Sequence, residues 1–203
     1  MIGRQGARLG RLLGMANSYA QAVLRTTDLA EALRAAGRLL ELADTTELEV
    51  DFEARVSTPG ELERLSGVMP DAEWFSYGTD RHGSSKDGGV PSECLPILLR
   101  RWCMAPETVE EFVAAVGNVP AMVRWDFRGW PEAPEVGLGC GGCRGAYVTV
   151  CMNARDVDIA DAKEASPDHT LYVHVKQVEA ERAPWLAAQV GLRVIGELEM
   201  APL

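Results

Sequence analysis

The residues whose spacing is most specific for chemistry are Cys140 and Cys143, which enclose two glycines. A C-x-x-C step can place two thiolates on one tetrahedral zinc ion. It supplies only half of such a site, and the remaining cysteines form no second closely spaced pair. Two interpretations stay open for Cys140 and Cys143: a structural zinc site, or free thiols in a glycine-rich turn. No other cofactor is expected.

The same turn contains a glycine motif, because residues 137–142 read G-L-G-C-G-G. The dinucleotide motif G-x-G-x-x-G works where a strand ends and a helix begins, so that the helix N-terminus faces the pyrophosphate. Here Pro131 and Pro134 precede the glycines, and the strand-like residues 146–150 follow them. This context does not suit a nucleotide site, and we expect none.

Three acidic residues, Asp156, Asp158 and Asp161, lie close together. A calcium loop needs a glycine at its sharp turn and a closing glutamate. The glycine is missing and Pro167 stands where the glutamate would be needed, so a solvated acidic loop is the expectation.

Two histidines, His169 and His174, lie near Ser166 in the sequence. Nearness along the chain does not make a catalytic triad, whose members meet in space and need a third, orienting group. A loop histidine and a strand histidine are the simpler interpretation. No catalytic residue is predicted.

Arg128 and Trp130 are the best candidates for a protein contact in the body of the chain. Trp130 lies between Gly129 and Pro131, which indicates a loop. An exposed loop tryptophan beside an arginine is typical of an interface, whereas a tryptophan folded over its own core is the alternative. The glycine-rich residues 78–90 predict a long loop and a second contact surface.

Charge is distributed unevenly along the chain. Residues 1–40 contain six arginines and only two acidic residues, whereas the whole chain has a net charge of −10. Apolar residues recur at helical steps over residues 6–24, and Asp28 begins a second helical pattern that runs to about Ala43. We therefore predict a helical N-terminal arm over residues 1–44, with Arg4, Arg8 and Arg11 as protein-binding residues.

Residues 45–203 are predicted to form a single α+β domain. The clearest strand is residues 48–56, where apolar and charged residues alternate and the charged face is expected to meet water. Thr58, Pro59 and Glu61 predict the start of a helix, and further helices are expected over about 106–116 and 182–190. Further strands are predicted over 74–77, 121–127, 146–152, 171–178 and 192–200, whereas residues 91–103 are ambiguous.

The predicted fold is a mainly antiparallel sheet with helices on one face. The order strand, helix, strand occurs over residues 47–77 and again over 170–200. Two split β-α-β units of this kind are what a ferredoxin-like arrangement contains, so that arrangement is one form the sheet can take.

Composition limits the classes of function. No apolar run is long enough for a membrane span, and an odd number of cysteines, five, fits a reducing compartment. We therefore expect a cytoplasmic protein, or one within a virion, without membrane partners. An acidic body repels phosphate backbones, so nucleic acid is an unlikely partner except through the basic arm.

Because every catalytic pattern fails in its context, the sequence favours a non-enzymatic protein that binds another protein or forms a homo-oligomer. Two versions are open: an assembly or virion-type component that docks through its helical arm, and an acidic inhibitor of the immunity-protein type. The alternative is a small zinc-binding or enzymatic domain centred on Cys140, Cys143 and residues 78–90.

Overall fold

Nine strands form one antiparallel sheet in the computed structural model, which describes residues 18–76, 81–87, 89–139, 146–162 and 164–201. The strands are β1 (Ser18–Thr26), β2 (Glu49–Val56), β3 (Glu73–Ser76), β4 (Arg81–Ser84), β5 (Ile97–Met104), β6 (Ala121–Phe127), β7 (Ala146–Met152), β8 (His169–Lys176) and β9 (Ile195–Met200). Four α-helices occur within the same residues: α1 (Leu29–Leu42), α2 (Pro59–Val68), α3 (Val109–Val116) and α4 (Arg182–Gln189). The predicted mixture of helices with an antiparallel sheet is confirmed.

The order of strands across the sheet is β4-β3-β5-β2-β6-β7-β8-β1-β9. Three strand-helix-strand segments each enclose one antiparallel strand. β2 and β3 lie on either side of β5, β5 and β6 lie on either side of β2, and β8 and β9 lie on either side of β1. In each of these three segments, the helix therefore crosses over the enclosed strand, which runs antiparallel to the two strands that the helix connects.

The main core lies between the four helices and one face of the sheet. Alternate residues of the central strands point into it, so that Phe52 on β2 stacks on Phe112 of α3 with ring centroids 4.2 Å apart. The helices contribute small and branched residues, such as Ala35 and Leu39 of α1 and Leu186 of α4. Close packing of this kind is the largest favourable term in folding.

Two helix starts follow the capping signals in the sequence. The side chain of Asp28 accepts hydrogen bonds from the backbone N–H groups of Ala30 and Glu31 at 2.9 and 3.2 Å, and α1 begins at the next residue. Thr58 and Glu61 form a reciprocal capping box at α2. Such caps satisfy backbone N–H groups that have no partner within the helix.

The predicted helical arm over residues 1–44 is not supported. Residues 1–17, which include Arg4, Arg8 and Arg11, lie outside the described residues. Residues 18–26 form β1, which pairs with β8 on one side and with β9 on the other. Ala20 and Ala22 lie in a second apolar cluster and Val23 in the main core, as expected for a strand whose side chains alternate between two faces. The second predicted helix exists as α1, but it packs on β7, β8 and β1.

The expectation that the charged face of β2 meets water is wrong. Asp51 and Glu53 are only 4% and 5% exposed. Each lies beside an arginine of a neighbouring strand, with Arg124 on β6 opposite Asp51 and Arg100 on β5 opposite Glu53. Buried charges are tolerated in pairs of this kind because the partner replaces part of the lost hydration.

Part of the predicted loop at residues 78–90 is a strand. Arg81–Ser84 forms β4, which pairs with β3 and ends the sheet on that side. Gly83 lies against Trp74, because a Cβ atom at this glycine would stand 3.0 Å from the indole ring. Glycine in a strand commonly marks such a close approach, so here it does not indicate a loop.

Candidate protein-binding surface

The second face of the sheet is partly covered by residues 153–162 and 164–168, which we call the acidic loop. The loop begins at Asn153, a buried residue with a φ of 54°. Its side-chain amide donates to the carbonyls of Gly117 and Val119 at 2.9 and 2.8 Å. Its backbone N–H donates to Nδ1 of His169 at 3.1 Å, just where β8 begins. One residue therefore fixes where the chain leaves β7.

Within the acidic loop, apolar residues point inward and acidic residues outward. Val157 and Ile159 are buried in a second apolar cluster with Tyr172 of β8, whereas Asp156 and Asp161 are exposed. Asp158 caps a short turn by accepting from the backbone N–H of Ala160 at 3.0 Å. Because its apolar residues are anchored in this cluster, the loop holds its carboxylates in place.

These carboxylates line a pocket of about 210 Å³. Its walls include Asp156, Asp158, Asp161 and Glu164. Arg155 also lines it, but this arginine pairs with Asp168, and its hydrogen bond is the main reason that the pKa of Asp168 lies below its usual range. Among the described residues, no group of three potential ligands could hold a metal ion.

The edge strand β9 continues this surface. Glu197 and Glu199 are exposed on it, and Glu199 lies opposite Ala20 of β1, a residue of the same apolar cluster as Val157. Burial raises the pKa of the Tyr172 hydroxyl, and the negative charges of Glu199 and Asp156 add to the effect. Glu199 and the anchoring residues of the acidic loop are therefore connected through one apolar cluster on the second face of the sheet.

Exposed large apolar side chains also occur on and beside β9. Among the described residues, Ile195 and Met200 belong to this strand and Val194 precedes it, whereas Val178 lies in the turn that follows β8. Met200 is 73% exposed. Leu198, between the two glutamates, packs partly against the main core. One side of β9 is thus acidic and the other apolar, a combination typical of a binding edge.

Further along the same face of the sheet, Arg124 occupies a buried polar cluster. Its guanidinium carbon lies 5.2 Å from the ring centroid of Trp102 and 5.3 Å from that of Tyr147. The side chain is 2% exposed and is paired with Asp51. Such a buried, paired and stacked arginine fixes the positions of β2, β5, β6 and β7, and we assign it a structural role.

His174 is buried next to this cluster. Its Nε2 lies 2.9 Å from the hydroxyl of Thr149, and its carbonyl accepts a hydrogen bond from Nε1 of Trp130 at 2.9 Å. Burial, with the charge of Arg124 as a smaller cause, lowers the pKa of His174 to about 3. The ring is therefore neutral at physiological pH, and neutral histidine suits a structural hydrogen bond in the core.

The structure separates the residues that the sequence singled out. Trp130 is only 3% exposed and packs edge-on against Phe127, which agrees with the interpretation of a tryptophan folded over its own core. Arg128 is exposed, and its Nε lies 3.8 Å from Oδ2 of Asp44. Cys140 and Cys143 lie outside the described residues. The sequence predicted only a solvated acidic loop, because the anchoring of this loop by Val157 and Ile159 depends on strands distant in sequence.

No protein-family model, curated protein or solved structure matches this chain. A search of the described helices found none with the length and apolar character needed to cross a membrane.

Proposed function

We propose that this chain is a non-enzymatic protein-binding protein that acts as an acidic inhibitor of the immunity-protein type, in the cytoplasm or within a virion. Its partner is a protein with a basic surface. The observation that carries the proposal is the acidic loop, where buried Val157 and Ile159 hold Asp156 and Asp161 in exposed positions. A rigid surface of one charge loses little conformational entropy when a complementary surface binds.

The charge of the chain supports fast association with such a partner. The net charge is −10, and the acidic loop and β9 concentrate carboxylates on one surface. Opposite charges on two proteins steer their encounter, and salt screens this attraction within about 8 Å at physiological ionic strength. Binding is therefore expected to weaken as salt rises.

The other version, an assembly component that docks through a helical arm, has less support. It requires a separate helical arm, whereas residues 18–42 belong to the sheet and its helical layer. A role for Arg4, Arg8 and Arg11 stays a prediction, as does zinc at Cys140 and Cys143, because these residues lie outside the described ranges.

We further propose that the sheet consists of two ferredoxin-like halves. The first contains β2, α2, β3, β5, α3 and β6, in the sheet order β3-β5-β2-β6. The second contains β1, α1, β7, β8, α4 and β9, in the equivalent order β7-β8-β1-β9. In sequence, the first half is inserted between α1 and β7 of the second, which explains why similar element orders recur at 47–77 and 170–200.

The proposal is tested by capture of binding proteins from extracts of the source organism. The loop variant combines Asp156→Asn, Asp161→Asn and Glu164→Gln, all at exposed positions. Its matched control combines Glu107→Gln, Glu110→Gln and Glu111→Gln, which remove the same charge at and before α3. Asp158 is left intact because it caps a turn.

We expect the wild type and the control to retain one basic protein, identified by mass spectrometry and then purified. Its affinity for the loop variant should fall by at least about tenfold, mainly through slower association. Equal affinity for the loop variant and the control would remove the support for this surface. If all three proteins retain no basic partner, the proposed function is wrong.

A further inference from the structure

We propose that the outer edge of β9 accepts an extended strand of the partner protein, which runs antiparallel to β9 and carries basic residues at alternate positions. This inference deepens the proposed function and rests on it. The acidic loop attracts the partner by its charge, whereas β9 supplies backbone hydrogen bonds and thereby makes the contact specific for an extended segment.

β9 has only part of the usual protection of an edge strand among the described residues, namely two glutamates and a register shift against β1. Its one strand neighbour among the described residues is β1, so its outer N–H and C=O groups face no other described strand. Proteins commonly shield such edges with a covering segment, a proline, lysines or a very short strand. β9 has neither proline nor lysine, and Ile195 and Met200 are exposed on it.

The irregular part of β9 is stabilised at its inner edge, which faces β1. Gln21 of β1 donates its side-chain amide to the carbonyls of Ile195, Gly196 and Glu197, at 3.0 to 3.4 Å. This amide bridges the place where the register between β1 and β9 shifts. The inner edge is therefore held at the irregularity, and the strand can accept an outer neighbour without losing its position.

The sheet already contains an equivalent strand edge that is paired with another strand. β6 follows α3 and lies beside β2, just as β9 follows α4 and lies beside β1. The outer edge of β6 is paired along its whole length with β7, in antiparallel register from Ala121 with Met152 to Phe127 with Ala146. The outer edge of β9 occupies the position in its half of the sheet that corresponds to this paired edge of β6.

The two glutamates of β9 limit which strand can bind at its outer edge. If two copies of β9 paired antiparallel, the registers that pair most of the strand would place glutamate opposite glutamate, because Glu197 and Glu199 share one face. Like charges in opposite positions are destabilising. The strand β3, which corresponds to β7 in the other half, is already covered by β4. A second copy therefore fits poorly.

The chemistry of β9 defines the strand that does fit. Glu197 and Glu199 favour lysine or arginine at alternate positions of the added strand, opposite their carboxylates. Met200 and the partly buried Leu198 lie on the other face, where apolar side chains of the added strand would contact them. The partner segment is thus an amphipathic strand with a basic face and an apolar face.

The test uses the full chain and short synthetic peptides in which lysine alternates with valine. One matched peptide carries N-methyl groups on alternate backbone amides, which removes the donors of one strand edge. A second matched peptide has glutamate in place of lysine. Peptide affinity is measured by fluorescence anisotropy, and amide hydrogen exchange of residues 195–200 reports where the peptide binds.

Two protein variants with the same change of charge complete the design. The β9 variant carries Glu197→Lys and Glu199→Lys, and the control carries Glu110→Lys and Glu111→Lys on α3, all at exposed positions. We expect the lysine peptide to protect residues 195–200 from exchange. N-methylation and the β9 variant should each weaken binding at least about tenfold, and the control less than about threefold.

Several outcomes would overturn the inference. These are equal binding of the N-methylated peptide, equal loss of affinity in both protein variants, binding of the glutamate peptide, or no binding of the lysine peptide. A concentration-dependent dimer or filament in sedimentation that the β9 variant abolishes would identify a second copy as the occupant instead. If the capture experiment still yields a loop-dependent partner while residues 195–200 stay unprotected in that complex, this inference fails and the proposed function stands.

Discussion

Nη2 of Arg124 lies 3.0 Å from Oδ2 of Asp51, and the two side chains are 2% and 6% exposed. The two residues are directly opposite in the pairing of β2 with β6. Oδ1 of the same carboxylate accepts the backbone N–H of Cys103 at 2.8 Å, next to the irregular pairing of β2 with β5. One buried carboxylate therefore connects three neighbouring strands near the centre of the sheet.

We predict that Asp51→Ala lowers the free energy of unfolding by about 3–5 kcal/mol, because it leaves a buried guanidinium without its counter-ion. The double variant Asp51→Leu with Arg124→Met should be less destabilised than the single variant, since neither charge of this buried pair remains. Urea denaturation measures both. Glu93→Gln is the control, because its pair with Arg81 is exposed, and its loss should be far smaller. An Asp51→Ala variant as stable as that control would contradict the prediction.

Asn153 provides a second prediction, because its backbone and side chain have separate roles. Asn153→Gly keeps the left-handed backbone conformation but removes both amide hydrogen bonds, and should cost about 1–3 kcal/mol. Asn153→Ala loses these bonds and also places a Cβ-bearing residue without a polar side chain at a φ of 54°, so it should cost more. Urea denaturation gives the order of stability. Equal stability of the alanine and glycine variants would mean that the backbone conformation is unimportant here.

The buried His174 predicts a loss of stability in acid. Its pKa is about 3 in the folded chain, against an ordinary value of 6.5, so the unfolded chain takes up the proton first. Stability from this residue is therefore present above pH 6.5 and falls below it by about 1.4 kcal/mol per pH unit until pH 3 is approached. Unfolding measured at several pH values for the wild type and for His174→Gln isolates this contribution.

The pH dependence of the wild type must be compared with that of His174→Gln because other buried groups also titrate. Burial raises the pKa of Glu53, whose titration opposes that of the histidine, and burial lowers the pKa of His169, which adds to it. A direct check is the proton NMR signal of the His174 ring, which should not titrate between pH 8 and 5. Titration near pH 6.5 would show that the ring is accessible to protons in the folded state.

Gly37 should be replaceable with a gain in stability. It lies inside α1, and a Cβ atom added there would have no neighbour within 4 Å. We expect Gly37→Ala to stabilise the chain by about 0.5–1 kcal/mol, because alanine loses less backbone entropy in a helix. Gly191→Ala is the matched control: its surroundings are equally open, but its φ of 74° disfavours alanine. The melting temperature should rise for the first variant and fall for the second.

Local patterns predicted much of the fold. β6 and β7 begin and end where their alternating apolar residues predict, and the caps of α1 and α2 lie at Asp28 and Thr58 as expected. In these segments, propensity, periodicity and end signals all favour the same element. Segments of this kind can be located without knowledge of their neighbours.

The errors arose where a neighbour decides the outcome. Residues 18–24 fit a helical spacing, and their pairing with β8 and β9 makes them a strand. Asp51 and Glu53 have the alternation of an exposed face, but Arg124 and Arg100 come from strands far along the chain. The candidate surface was missed for the same reason, because Val157 of the acidic loop and Ala20, which lies opposite Glu199, come together only in the folded sheet.

The position of β1 has a consequence for biosynthesis. β1 comes first among the described strands, yet its two neighbours are β8 and β9, which come last among them. The first half of the sheet, from β2 to β6, can form during translation, whereas β1 must wait with its hydrogen-bonding groups exposed until residues 169–200 emerge. Until then the unpaired edges of this early strand are a site at which nascent chains can aggregate.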